Sequence, residues 1–143
     1  MVYKLVIEGR LPTLNEYTKA ERSHKLSGAR VKREAQELVC WYIRAQLGSQ
    51  AASKPVHMDY LWVEKDRRRD RDNVAFARKF IQDALVQMHF LADDGWDEIT
   101  GWADSFAVDA MHPRIEVTIT EVEEEEEHGK NQRRCGRRAH KGK

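Results

Sequence analysis

The chain has 143 residues, enough for one compact domain with a modest core. Charged residues make up 34% of it, yet the formal net charge is only +1, so any nucleic-acid binding must come from local clusters and not from a broadly basic body. No apolar run is long enough to cross a bilayer, and the start Met1-Val-Tyr-Lys-Leu-Val-Ile lacks the charged start, apolar stretch and cleavage site of a secretion signal, so a cytoplasmic protein is expected.

Residues 2–8 alternate in polarity around Val2, Leu5 and Ile7 and read as a strand that Gly9 and Pro12 end. Residues 10–28 are polar and read as a long loop with a helical turn near Asn15–Glu21. Residues 29–47 read as an amphipathic helix, with Ala35, Leu38, Val39, Tyr42, Ile43 and Leu47 in its apolar stripe and Gly48 as its stop. Cys40 falls within this segment and reads as a small buried hydrophobe; Cys135 lies in a polar stretch, and two cysteines are too few for a zinc motif.

Pro55 leads into a strand at 56–64, and the charged residues 66–71 read as a turn. A second helix is expected from Asp72 to His89, its core stripe being Val74, Ala77, Ile81, Leu85 and Met88. After a loop at Asp93-Asp94-Gly95, residues 98–108 and 114–122 read as a final pair of strands with Pro113 at the turn between them. The order β-α-β-α-β-β predicts a single small α+β domain with a mixed sheet and two main helices. Residues 123–143 hold five glutamates and seven Lys or Arg, and offer almost nothing to a core. The domain is therefore placed at 1–122, with 123–143 as a tail expected to be disordered.

The chemistry concentrates in Arg67-Arg68-Arg69-Asp70-Arg71-Asp72-Asn73, then Lys79, Asp83-Ala84-Leu85 and Asp93-Asp94. On a continuous helix at about 100° per residue, Asp72, Lys79 and Asp83 fall in one stripe opposite Val74, Ile81 and Leu85. Grouped carboxylates repel one another unless a cation joins them. Mg²⁺ takes oxygen ligands, activates bound water and neutralises charge on a phosphate. A lysine can stabilise the same charge, and arginines can hold flanking phosphates. A plainer reading stands beside this one. Asp72 could be a helix N-cap, Arg67–Arg69 a solvated turn, and Lys79 with Asp83 a surface ion pair worth about 0.3–0.5 kcal/mol.

Arg69-Asp70-Arg71-Asp72-Asn73, Lys79, Asp83-Ala84-Leu85 and the pair Asp93-Asp94 about ten residues later closely resemble the active-site segment of RusA-type Holliday junction resolvases. The strand ending at Gly9 and the final Ile-rich strand extend the resemblance over residues 2–122. The stretch between Asp72 and Asp83 is longer than in the best-known form by about three residues, close to one helical turn. The resemblance implies a homodimer of α+β subunits that cuts four-way branched DNA by Mg²⁺-dependent hydrolysis, with Mn²⁺ as an alternative ion. It implies a bacterial or phage-encoded origin, typically a prophage. It assigns Asp70, Asp72 and Asp94 as metal-binding catalytic carboxylates and Lys79 as the essential lysine, with Asp93 as a nearby acid.

Lys32, Arg33, Arg67, Arg68 and Arg69 are the expected DNA contacts. Phe76 and Phe80, off the core stripe, are expected at a dimer interface, and Trp41, Trp62, Trp96 and Trp102 in the core or at that interface. No Gly-rich phosphate loop or Ser-His-Asp arrangement points to a nucleotide cofactor or acyl transfer. Two rival functions remain open: a branched-DNA-binding protein that does not cut, and a nuclease acting on flaps or forks.

Overall fold

The structure, a computed structural model, describes residues 1–123, so the expectation for the tail beyond Glu123 lies outside the described residues. Four strands and four helices follow the order β1 (Val2–Glu8), α1 (Leu14–Ser23), α2 (Lys25–Leu47), β2 (Val56–Glu64), α3 (Arg71–Ala75), α4 (Arg78–Gln87), β3 (Ile99–Val108) and β4 (Arg114–Glu121). It is a small α+β domain with one mixed sheet, in the order β1-β4-β2-β3. No helix among the described residues is long and apolar enough to cross a membrane.

The alternation of the strands builds the core in three cross-strand rows: Tyr3, Ile119 and Met58; Leu5, Val117 and Tyr60; Ile7, Ile115 and Trp62. All nine side chains are buried. Val39, Ile43 and Leu47 of α2 and Ile81, Ala84 and Leu85 of α4 join the same cluster. Cys40 is buried and free, as its place in the helix implied.

The helical turn expected near Asn15–Glu21 is a full helix, α1, so the segment is not mainly loop. Thr13 caps α1 in a capping box with Glu16, and Arg10 clamps the Glu16 carboxylate with two bonds of 2.7 and 2.6 Å. That clamp, above all, pulls the Glu16 carboxyl down to about 2. Polar composition concealed the length of this helix because it buries no residue fully; it is held by its cap and by Tyr17. His24, in extended conformation, closes α1 and opens α2, which begins at Lys25 and not at residue 29. A Cβ on Gly28 would collide with Glu21, so glycine is what lets the two helices cross there.

Two further expectations are corrected. The strands at 98–108 and 114–122 are not paired with each other. β4 lies between β1 and β2, antiparallel to both, while β3 runs parallel to β2 at the far edge. Helices α3 and α4 supply the long crossover that a parallel pair requires. The single helix expected from Asp72 to His89 is broken at Phe76–Ala77, where short bonds from Ala77 N to Val74 O and from Phe80 N to Ala77 O tighten the chain. The core stripe stays buried across the break, yet Phe80 on the other side of α4 is only 1% exposed and Phe76 is partly packed against the core. There they meet Tyr17 of α1, with ring centroids 5.5–6.2 Å apart. Packing against α1 thus makes Phe80 a core residue and not a dimer contact, and leaves Phe76 partly covered.

Candidate functional site

β2 delivers the chain to Glu64, after which six residues carry most of the charge of the candidate site. Asp66 accepts a bond from the Arg68 backbone N–H at 3.0 Å and turns the chain. Arg68 lies 3.7 Å from Asp66, and Arg69 lies 3.7 Å from Glu64. Lys65 and Arg67 are exposed.

Asp70, and not Asp72, occupies the N-cap position of α3, and its side chain makes no capping bond. Only its carbonyl takes part, accepting from Val74 N at 3.0 Å. Asp72 follows in the first turn, exposed. Among the described residues neither carboxylate has a hydrogen-bond or ion-pair partner, so the capping explanation of these acids fails. Asn73 has the structural role instead. Its Oδ1 accepts from the Asn15 backbone N–H at 2.8 Å, tying the first turn of α1 to α3. The helical turn expected near Asn15 gave no sign of this bond, because nothing in the local pattern shows that the turn lies against residue 73.

Lys79 opens α4 and lies 3.6 Å from Asp83, one turn on. This part of the plainer reading holds. Asp83 also lines an open cleft of about 330 Å³ with Asp94, Lys32, Gln36, Val86 and Gln87. Gln36 and Gln87 join across it at 2.6 Å. Asp93 accepts from the Asp94 backbone N–H at 2.8 Å, which fixes the loop while the Asp94 side chain stays exposed.

The fold therefore brings Asp94, Asp83 and Lys32 to one cleft between α2 and α4, with Lys79 joined to it through Asp83. Asp70 and Asp72 are not in that lining, and no group of three or more His, Cys, Asp or Glu is placed to hold a metal among the described residues. The expected trio of carboxylates is not gathered: α3 carries two of them and the loop after α4 carries the third. Arg33 points along α2 towards Glu37 at 4.0 Å, an exposed pair.

Compared with models of known families and with curated proteins, the chain matches none.

A second polar cluster escaped the sequence reading. Trp62 Nε1 donates to Asp104 at 2.9 Å, and Asp104 also accepts from Arg78. The Arg78 guanidinium lies 4.7 Å from the ring centre of Trp102, and Gln82 donates to the Tyr60 hydroxyl at 3.0 Å. Burial pushes the Tyr60 phenol far above its ordinary range, so it remains a neutral hydrogen-bonding group. The available signal was the period-two run Trp102, Asp104, Phe106, which places all three on the helix side of β3. Of the four tryptophans only Trp62 is core; Trp41 and Trp102 are exposed and Trp96 is 98% exposed.

Proposed function

We propose that this chain is a structure-selective endodeoxyribonuclease that resolves four-way DNA junctions by metal-dependent phosphodiester hydrolysis, in DNA recombination and repair. A homodimeric, cytoplasmic, prophage-encoded enzyme of the RusA type goes with this reading. The observation that carries it is the pair Asp70 and Asp72. Two exposed carboxylates flank α3's first residue in a strongly basic segment and have no structural partner among the described residues. Asp72 suits the N-terminal turn of α3, but neither side chain is spent on a cap or an ion pair, so both keep their oxygens available to a cation.

The oxygen donors suit Mg²⁺, which is commonly held by one or two carboxylates and keeps several waters. Asp70 and Asp72 would hold it, while Asp94, the third carboxylate the resemblance assigns, lines the cleft with Asp83 and Lys32. When bound, the ion supplies an activated water and neutralises charge on the phosphate. Lys79, exposed at the start of α4, stabilises that charge once it exchanges Asp83 for a phosphate oxygen. Lys32, Arg33, Arg67, Arg68 and Arg69 provide salt-sensitive grip on the DNA backbone.

One observation favours a second reading, a branched-DNA-binding protein that does not cut: the three carboxylates stand apart and Lys79 is engaged with Asp83. Incubating the full chain and Mg²⁺ with four-way junction, flap, fork and linear duplex DNA separates the possibilities. Symmetric cutting of the junction supports resolution. Cutting confined to flaps or forks reassigns the substrate, and binding without cutting establishes the second reading.

A further inference from the structure

Most cations near the candidate carboxylates are already matched. Arg68 has Asp66, Arg69 has Glu64, Arg78 has Asp104 and Lys79 has Asp83. Arg71 is different. It stands between Asp70 and Asp72 in the chain, is exposed, and makes no ion pair or side-chain hydrogen bond among the described residues. Its guanidinium lies instead 5.6 Å from the centre of the Phe106 ring. Lys65 and Arg67 also lack partners, but no ring underlies either of them among the described residues.

Phe106 is a fixed platform. It pairs in register with the buried Trp62, on the helix side of β3, and is itself half-buried against the core. Two positions away, Asp104 is tied to both Trp62 and Arg78, which holds that part of the edge strand against α4. A guanidinium held over an aromatic ring by cation–π attraction has no N–H donor committed to a protein acceptor, and its fork matches two oxygens of a phosphate. The contact also reduces the side-chain freedom that would be lost on binding.

We propose that Arg71, held over the Phe106 ring, grips a backbone phosphate beside the Asp70–Asp72 pair. The cleaved strand then approaches α3 from the β3 side. Arg71 is thus a substrate-binding residue and Phe106 a positioning residue acting through it. This rests on the nuclease reading and adds to it the direction of the strand.

The test measures affinity of the full chain for a labelled immobile four-way junction in Ca²⁺ across KCl concentrations. Wild type should show a steep fall with salt. Arg71→Ala should flatten the log–log slope by about one for each Arg71 engaged and weaken binding about tenfold or more near 0.1 M salt. Arg71→Gln, which retains the long stem and hydrogen-bonding capacity, should flatten it equally if Arg71→Ala proves unstable. Phe106→Leu should keep the slope, because the charge remains, but weaken binding several-fold; Phe106→Tyr should restore it. A purely structural Arg71 would lower the melting temperature without altering the slope. Unchanged slope and affinity in Arg71→Ala and Arg71→Gln would overturn the assignment while leaving the nuclease reading standing. A wild-type chain that binds no junction would overturn both.

Discussion

Asp70 and Asp72 differ from the other acids around them in having nothing to hold. Asp66 and Asp83 each have a neighbouring base in a surface ion pair of small worth, and Asp104 is held by both Trp62 and Arg78. Changing Asp70 or Asp72 to Asn should leave the melting temperature nearly unmoved, within about 0.5 kcal/mol of stability, because no partner is lost. Asp59→Asn, remote from the candidate site, is the control for both stability and cutting. Asn73 should behave in the opposite way. Asn73→Ala strips the acceptor from the Asn15 N–H and should cost about 1–2 kcal/mol, read as a lower midpoint in urea unfolding. Glu16 makes a pH prediction. Its folded pKa of about 2 lies below the ordinary 4.5, so its contribution is fully present above pH 4.5 and is lost as pH falls towards 2. Urea midpoints at several pH values should fall across that window, and more shallowly in Glu16→Gln. Of the candidate residues, the sequence made the identity of the acids legible through their spacing. The local pair Lys79–Asp83 was legible too, but the partners of Asp104 were not, because β3 reaches Trp62 and Arg78 only through the fold.

Helix periodicity located the second half of the fold but misjudged its continuity. Val74, Ile81 and Leu85 are buried as the helical stripe required. The same wheel put Phe76 and Phe80 on the far side, where the sequence showed no partner for them. Tyr17 decides the matter by giving both rings an apolar partner. Phe80→Ala should therefore cost about 3–5 kcal/mol of stability in the isolated chain, as a core truncation does. An interface residue would instead change the association constant and leave monomer unfolding alone, so denaturation at two protein concentrations distinguishes the cases. Strand pairing was beyond the sequence for a different reason. Alternation reveals which face of β4 is buried, but Ile115, Val117 and Ile119 would look the same beside β3 as they do between β1 and β2.

At the scale of the whole molecule, the ten-residue β3 is an edge strand, paired on one side only, with Trp102 and Val108 exposed in it and Trp96 and Met111 exposed in the loops beside it. Long edges with exposed apolar residues are surfaces that proteins normally cover. We expect the homodimer to form there and not through Phe76 and Phe80. Sedimentation at micromolar concentration should show a dimer that Val108→Lys weakens without lowering monomer stability. A two-fold dimer would present two Asp70–Asp72 pairs to the two equivalent strands of a junction. Whether those acids perform chemistry is decided by one comparison: the rate at which wild type and Asp72→Asn cut a four-way junction in Mg²⁺, with junction affinity measured alongside. The expected result is symmetric cutting by wild type and a loss of at least about a hundredfold in Asp72→Asn, with binding retained or tightened because a negative charge next to phosphate is gone. Near wild-type cutting by Asp72→Asn would contradict the assigned site, and a wild-type chain that binds the junction but leaves it intact would contradict the enzyme.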